Sequence, residues 1–147
     1  MMKMLKLPVL AIIALMFGQL SWAAGGEEDA SVPVLEPIEE VQEVIESQLL
    51  AFQSSDGPGA FFHAAPGIQS ALGDPEQFMM MVERGYNVIY QNTDWVFEDF
   101  NIQGIRAAQI VRVNDASGRE LRAVYYLVQM NGRWRIEGVQ RIEGSSA

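Results

Sequence analysis

The sequence predicts an α+β fold in which helices come first and pack on a curved antiparallel sheet of about four strands. In the first half of the chain, apolar residues recur at steps of three and four residues, which is the spacing of one helix face. In the second half, four runs rich in β-branched and aromatic residues are separated by turn signals. This change of period indicates helices on one face of a sheet.

The first predicted helix begins at Pro37, because proline suits the first position of a helix. The segment 54–59 (SSDGPG) ends this helix. A short helix near 60–65, a turn or short helix over 68–72 and a third helix from Pro75 follow. The apolar stripe of the first helix consists of Ile38, Val41, Ile45, Leu49 and Phe52.

The predicted strands cover residues 94–102, 104–115, 119–130 and 133–142, and hairpin turns determine how they pair. Asn131-Gly132 is the strongest turn signal, because both central positions of a type I′ turn need a positive φ. This turn places Gly138 opposite Tyr125. A turn over 115–118, closed by a glycine bulge, pairs Gln109 with Tyr125. The face that meets the helices then consists of Val113, Val111, Ala107, Ile105, Leu121, Ala123, Leu127, Trp134 and Ile136.

Residues 1–23 have the organisation of a secretory signal peptide. Lys3 and Lys6 supply the positive charges, residues 7–17 the apolar segment, and Ser21 and Ala23 the small residues before a cleavage site. The apolar segment is too short to cross a bilayer as a helix. We therefore expect export to the periplasm, cleavage after Ala23, a disordered acidic leader over 24–36 and a single domain over 37–143, with no membrane span after cleavage.

The composition of the remaining chain excludes several classes of function. Eight arginines stand against nineteen acidic residues after cleavage, a net charge of −11, and this argues against nucleic acid as a partner. The chain has no cysteine and one histidine, which excludes thiolate and multi-histidine metal sites. We expect no cofactor and no metal.

Many residues along the predicted domain follow the order and spacing of an exported bacterial family. They are Gln48, Ala51-Phe52, Asp56, Ala60-Phe61, Ala64-Ala65-Pro66, Ile68-Gln69, Phe78, Met81-Val82, Gly85-Tyr86, Asp115, Gly118, Tyr126 and 134–139 (WRIEGV). Over residues 37–142 the chain resembles the domain of unknown function 4864, which is similar to the nuclear transport factor 2-like (cystatin-like) superfold. The resemblance implies a cone of helices on a curved sheet and an export route, but no reaction, since that superfold hosts enzymes and binding modules alike.

A polar row on the predicted inner face suggests a small-ligand site. Gln109 and Tyr125 lie side by side, and the opposite Gly138 leaves room beside them. If Ile102 pairs with Ile105, Glu98 joins the same row, and a few polar groups on an apolar concave floor are what a ligand site needs. The predicted ligand-binding residues are Gln109, Tyr125, Glu98, Tyr86 and Trp134.

Two interpretations of this row stay open beside plain ligand binding. In the first, a small cofactor-free enzyme of the isomerase or dehydratase kind uses Glu98 as a base and Tyr125 as a donor to a developing oxyanion. In the second, buried Gln109 and Tyr125 simply satisfy each other or water. The register of the first strand is the least certain, because Trp95 and Phe97 have the opposite parity to Phe100.

The outer face of the predicted sheet suggests an interface, such as a homodimer. Like charges directly opposite each other destabilise a sheet unless something neutralises them, and apolar rows on an outer face suggest a covered surface. A bulge at Gly138 would displace part of this set. The predicted interface residues are Arg112, Arg122, Arg141, Ile110, Val124 and Tyr126.

Three other features bear on function. His63 has no acidic residue nearby in sequence to orient it, so we expect a surface or satisfied histidine. The run 79–81 (MMM) does not place three sulfurs on one helix face, so we expect core packing instead of copper binding. The acidic first helix is a docking face in a further alternative, an accessory subunit of an envelope complex.

Overall fold

The computed structural model describes residues 34–143. The predicted signal peptide and residues 24–33 of the predicted leader lie outside this range. Within it, the helices are α1 (Pro37–Gln53), α2 (Gly57–Phe62), α3 (Pro66–Leu72), α4 (Pro75–Gly85) and α5 (Asn87–Tyr90). The strands are β1 (Asn92–Gln103), β2 (Arg106–Asp115), β3 (Glu120–Met130) and β4 (Arg133–Arg141). None of the helices in the described range is long and apolar enough to cross a membrane.

Helix α1 forms as predicted, with its apolar stripe against the sheet. Val41, Ile45, Leu49 and Phe52 are buried, whereas Ile38 in the first turn is more than a third exposed. Gln48 is also buried on this face, and its Nε2 donates to the Ala60 carbonyl at 3.1 Å. This bond connects α1 to α2.

The helices α2 and α4 each start where an aspartate side chain caps a free amide. Asp56 accepts a hydrogen bond from the Gly59 amide at 3.0 Å, so α2 starts inside the segment predicted as a stop and spans Gly57–Phe62 instead of 60–65. Asp74 caps α4 in the same way by accepting from the Gln77 amide at 2.8 Å. Helix α5 was not predicted.

The four strands form an antiparallel meander in the order β1-β2-β3-β4. The predicted hairpin at Asn131-Gly132 is confirmed, with φ values of 53° and 78°. The predicted pairing of β2 with β3 is also confirmed, since Gln109 lies opposite Tyr125 and Arg112 opposite Arg122.

Two bulges, one in each edge strand of the sheet, change the predicted register. In β4, Leu127 pairs with Ile136 but Tyr126 pairs with Gly138, so Val139 instead of Gly138 lies opposite Tyr125. In β1, Phe97 pairs with Val111 but Phe100 pairs with Gln109, so residues 98–99 together oppose a single residue of β2. A one-residue insertion of this kind turns the side chains beyond it to the other face of the sheet.

The inner face of the sheet and the helices α1, α4 and α5 enclose the core. The predicted inner residues of β2, β3 and β4 are buried there, with one exception: Ile105 is 55% exposed because it lies in the turn between β1 and β2. The segment after α2 runs along the free edge of β4. There the Ala65 amide donates to the Ile136 carbonyl and the Ile136 amide donates to the His63 carbonyl, both at 2.8 Å.

Candidate functional site

A cavity of about 350 Å³ lies between the helices α1, α3 and α4 and the inner face of β3 and β4. Its interior walls are buried side chains such as Phe52, Phe78 and Tyr125. Partly exposed side chains, among them Leu72 and Met81, also line it and lie towards solvent. The volume falls within the range of small-molecule sites, about 300–1,000 Å³.

Only three side chains of the cavity wall carry polar atoms, namely Gln48, Tyr86 and Tyr125. The Tyr86 hydroxyl donates to the Val139 carbonyl at 2.9 Å, and the Gln48 amide donates to Ala60 as described above. The wall contains no charged side chain. The cavity therefore suits a mainly apolar molecule.

The Tyr125 hydroxyl is the exception to this pairing. The Tyr125 side chain is fully buried, and its hydroxyl has no hydrogen-bond partner among the described residues. Burial raises the pKa of this phenol, and the nearby Tyr86 raises it further. Tyr125 is therefore a neutral hydrogen-bonding group at physiological pH and not a base.

Gln109 lies beside Tyr125 as predicted, but it does not line the cavity. Its Nε2 lies within hydrogen-bond distance of the carbonyls of Glu98, Asp99 and Ile110, at 3.0, 3.2 and 2.9 Å. Its Oε1 accepts from Gln42 Nε2 at 2.9 Å. The side chain is thus used in holding the β1 bulge and contributes nothing to the wall of this cavity, and its assignment to ligand binding stays a prediction.

The placement of Glu98 in the cavity is wrong. The β1 bulge turns its side chain to the outer face, where the carboxylate accepts from Arg112 Nε at 2.8 Å and from Arg122 Nε at 2.9 Å. Hydrogen bonds from these two guanidinium groups lower the pKa of Glu98. Glu98 and Tyr125 thus lie on opposite faces of the sheet and do not form the predicted acid–base pair.

Trp134 is buried but lies outside the cavity wall, so its role in ligand binding stays a prediction. The indole Nε1 of Trp134 donates to Glu40 Oε1 on α1 at 3.2 Å. Trp134 lines a separate groove between α1 and the β3–β4 hairpin. Tyr86 alone of the remaining predicted ligand residues joins Tyr125 in the cavity wall.

The outer face carries Arg112 and Arg122 of the predicted arginine row, together with a carboxylate from the same sheet. Glu98 bridges Arg112 and Arg122 and balances one of their two positive charges. Ile110 and Val124 form a half-buried apolar row on this face. Next to it, Tyr126 is 40% exposed. The predicted dimer through this face stays a prediction.

Arg141 does not belong to the arginine row on the outer face. The β4 bulge places it opposite Ala123, on the side of the helices. Its guanidinium donates to the Gly85 carbonyl at the end of α4 and lies 5.4 Å from the centre of the Tyr86 ring. A cation at a helix C-terminus is favourable, so Arg141 stabilises the end of α4.

His63 lies at the edge of β4 and has no acidic partner among the described residues. Burial lowers its pKa, and the positive charges of Arg133 and Arg135 lower it further. Its ring contacts the edge of Phe62 at a centroid distance of 5.3 Å. In the part of the chain that the structure describes, no group of three potential metal ligands comes together.

Sequence reasoning missed most of the cavity wall. Ile68, Ala71 and Leu72 enter it from the short helix α3, whose packing has no periodic signal over so few residues. Gln48 did carry a signal, because it is a polar residue on the apolar face of α1. The β4 bulge brought Val139 to the wall.

The helices followed by a four-stranded antiparallel sheet define an α+β fold, and solved NTF2-like proteins share this fold. An NTF-2-like protein of unknown function from Shewanella oneidensis MR-1 matches with a TM-score of 0.55 and 9% identity, over 72% of this chain and 98% of that one. An NTF2-like protein of unknown function from Shewanella baltica OS155 matches with a TM-score of 0.50 and 12% identity, over 77% of this chain and 100% of that one. At such identities the likeness shows the fold alone.

The family model described as "Domain of unknown function (DUF4864)" matches residues 36–147. The chain therefore belongs to the DUF4864 family. No curated protein matches the sequence. The predicted family and fold class are confirmed.

Proposed function

We propose that this chain is an exported, non-catalytic protein that binds a small apolar ligand in the cavity between its helices and its sheet. The observation that carries the proposal is a cavity of about 350 Å³ whose wall is apolar except for three neutral side chains. One of these, Tyr125, has a buried hydroxyl without a hydrogen-bond partner among the described residues. An apolar pocket with few polar groups is the usual form of a small-molecule site.

The chemistry of the cavity wall favours binding over catalysis. Acid–base catalysis needs a group whose pKa lies near the working pH and within reach of the substrate. The wall offers no carboxylate, imidazole or amine, and burial moves the pKa of the Tyr125 phenol further from neutrality. The alternative of a small isomerase or dehydratase needs Glu98 in the cavity, and the ion pairs of Glu98 lie on the other face.

Export is the second part of the proposal, and it rests on the sequence of residues 1–23. The mature protein in the periplasm would start at Ala24. The mass and N-terminal sequence of the protein recovered from the periplasmic fraction test this part. A chain that keeps Met1 and stays with the cytoplasmic fraction would contradict it.

Native mass spectrometry of the mature protein purified from periplasm tests ligand binding. We expect an additional small-molecule mass that disappears under denaturing conditions. Leu72→Trp, which places a larger side chain in the cavity wall, should remove the additional mass. Leu50→Trp is the matched control, because Leu50 is half exposed on α1 and does not line the cavity.

Other spectra would contradict the proposal in distinct ways. A bare monomer mass, with no ligand recovered by organic extraction, would contradict ligand binding. A dimer without additional mass would favour the outer sheet face as an assembly surface. An additional mass that survives in Leu72→Trp would place the ligand elsewhere on the protein.

A further inference from the structure

We propose that the ligand of this cavity is uncharged and that its single polar group accepts a hydrogen bond from the Tyr125 hydroxyl. This inference rests on the proposed function, because it assumes that the cavity holds a ligand. It names the chemical class of that ligand, a neutral apolar molecule with one acceptor such as a ketone, ester or ether oxygen.

The charge of the ligand follows from the wall of the cavity. A carboxylate buried there would meet no cation, since the wall contains no arginine, lysine or histidine. Arg141 is the cation close to the wall residue Tyr86, but it is exposed and its guanidinium is bonded to the Gly85 carbonyl. An unpaired buried charge is strongly unfavourable, so the cavity selects against anions and cations alike.

The position of the polar group follows from the hydrogen bonds already made. Gln48 and Tyr86 donate to protein carbonyls, which leaves Tyr125 as the wall residue whose donor is free. A buried donor without a partner is costly, and a ligand acceptor recovers that cost on binding. The hydroxyl is closed to water-sized molecules, so contact with a ligand requires a side chain of the cavity wall to move.

The volume of the cavity limits the size of the ligand. A molecule in liquid water occupies about 30 Å³ and has one non-hydrogen atom. At that volume for each atom, a cavity of about 350 Å³ holds about twelve non-hydrogen atoms. Decan-2-one and nonanoate are suitable probes of this size. They have the same chain, and a methyl group of the ketone replaces one oxygen of the carboxylate.

Isothermal titration calorimetry of the mature protein, stripped of copurified ligand, tests the inference with these two probes at pH 7. We expect decan-2-one to bind at least tenfold more tightly than nonanoate. Tyr125→Phe should weaken the binding of decan-2-one by about tenfold, the value of one hydrogen bond, and should leave nonanoate unchanged. Tyr90→Phe is the matched control without effect, since Tyr90 does not line the cavity.

A second measurement needs no variant. The infrared carbonyl stretch of bound decan-2-one should lie below its value in an alkane solvent, because a hydrogen bond weakens the carbonyl bond. A stretch at the alkane value would show that the ketone oxygen has no donor and would overturn the assignment of Tyr125.

The remaining outcomes separate this inference from the proposed function. Tighter binding of nonanoate, lost in Arg141→Gln, would overturn the uncharged ligand while keeping the cavity as a binding site. Binding of decan-2-one that Tyr125→Phe does not change would overturn the hydrogen bond alone. If neither probe binds at millimolar concentration and no copurified mass is found, both the inference and the proposed function are wrong.

Discussion

Two tyrosines in the wall of one cavity should respond in opposite directions to the same substitution. Tyr125 and Tyr86 both line the cavity, but only the Tyr86 hydroxyl has a partner, the Val139 carbonyl at 2.9 Å. Replacement of either residue by phenylalanine removes one oxygen atom and keeps the ring. The pair therefore isolates the effect of a hydrogen bond from the effect of packing.

For Tyr125→Phe we expect a gain in stability. A buried polar group without a partner costs about 1–3 kcal/mol, and the substitution removes that cost. Part of the gain is offset by the contacts that the oxygen atom made, so the free energy of unfolding should rise by about 1 kcal/mol. For a domain of this size, this corresponds to a rise in Tm of about 4 °C.

For Tyr86→Phe we expect a loss of about 1 kcal/mol, because a satisfied hydrogen bond is removed and the Val139 carbonyl loses its donor. Urea unfolding of the ligand-free mature protein, followed by circular dichroism, measures both changes, and an unchanged m-value confirms that the same transition is compared. A loss of 1 kcal/mol or more in Tyr125→Phe would show that its hydroxyl is bonded after all. That result would refute the reasoning on which the ligand class rests.

Three further predictions concern the sheet. In the folded chain the pKa of Glu98 lies below its ordinary value of 4.5, so its ion pairs stabilise the fold above pH 4.5. This contribution is lost as the pH falls through the lowered pKa. The difference in unfolding free energy between the wild type and Glu98→Gln should therefore be largest at neutral pH and should disappear in acid. Gln109→Leu should cost about 3 kcal/mol, because it leaves two partly buried carbonyls of the β1 bulge and the Gln42 amide without their partner. Gln42→Ala should cost about 1 kcal/mol. Equal losses in urea unfolding would contradict this. Gly132→Ala should cost about 1 kcal/mol, because φ is 78° at this position. Gly138→Ala should leave the stability almost unchanged, because an added Cβ meets its nearest atom at 3.9 Å. Thermal melts of the two variants test this difference.

Much of the fold could be predicted because local signals and the apolar pattern agree. Asn131-Gly132 defines the β3–β4 hairpin, and the turn closed by Gly118 defines the register of β2 against β3. The helix α1 combines Pro37 at its first position with an apolar stripe. In each case a turn or cap residue and the hydrophobic period indicate the same structure, and such agreement is what makes a sequence specify a fold.

The candidate site was harder to predict because it depends on two bulges. Each bulge inserts one residue and moves a charged side chain to the other face of the sheet. Glu98 leaves the inner face, and Arg141 joins it. The opposite parity of Trp95 and Phe97 relative to Phe100 was the trace of the first bulge in the sequence. A meander register carried along by turns alone cannot place residues beyond such an insertion.

The bulge in β1 explains why the cavity wall contains no carboxylate. If the first strand continued from the Phe100–Gln109 pair without a bulge, Glu98 would lie opposite Val111 on the inner face, and the helices would cover a carboxylate. The bulge instead gives that carboxylate to Arg112 and Arg122, and Gln109 satisfies the two carbonyls that the bulge exposes. Removal of the charge leaves Tyr125 as the unpaired polar group of an apolar cavity. The irregularity in β1 thus produces both the outer ion pairs and the neutral site on which the proposed ligand class depends.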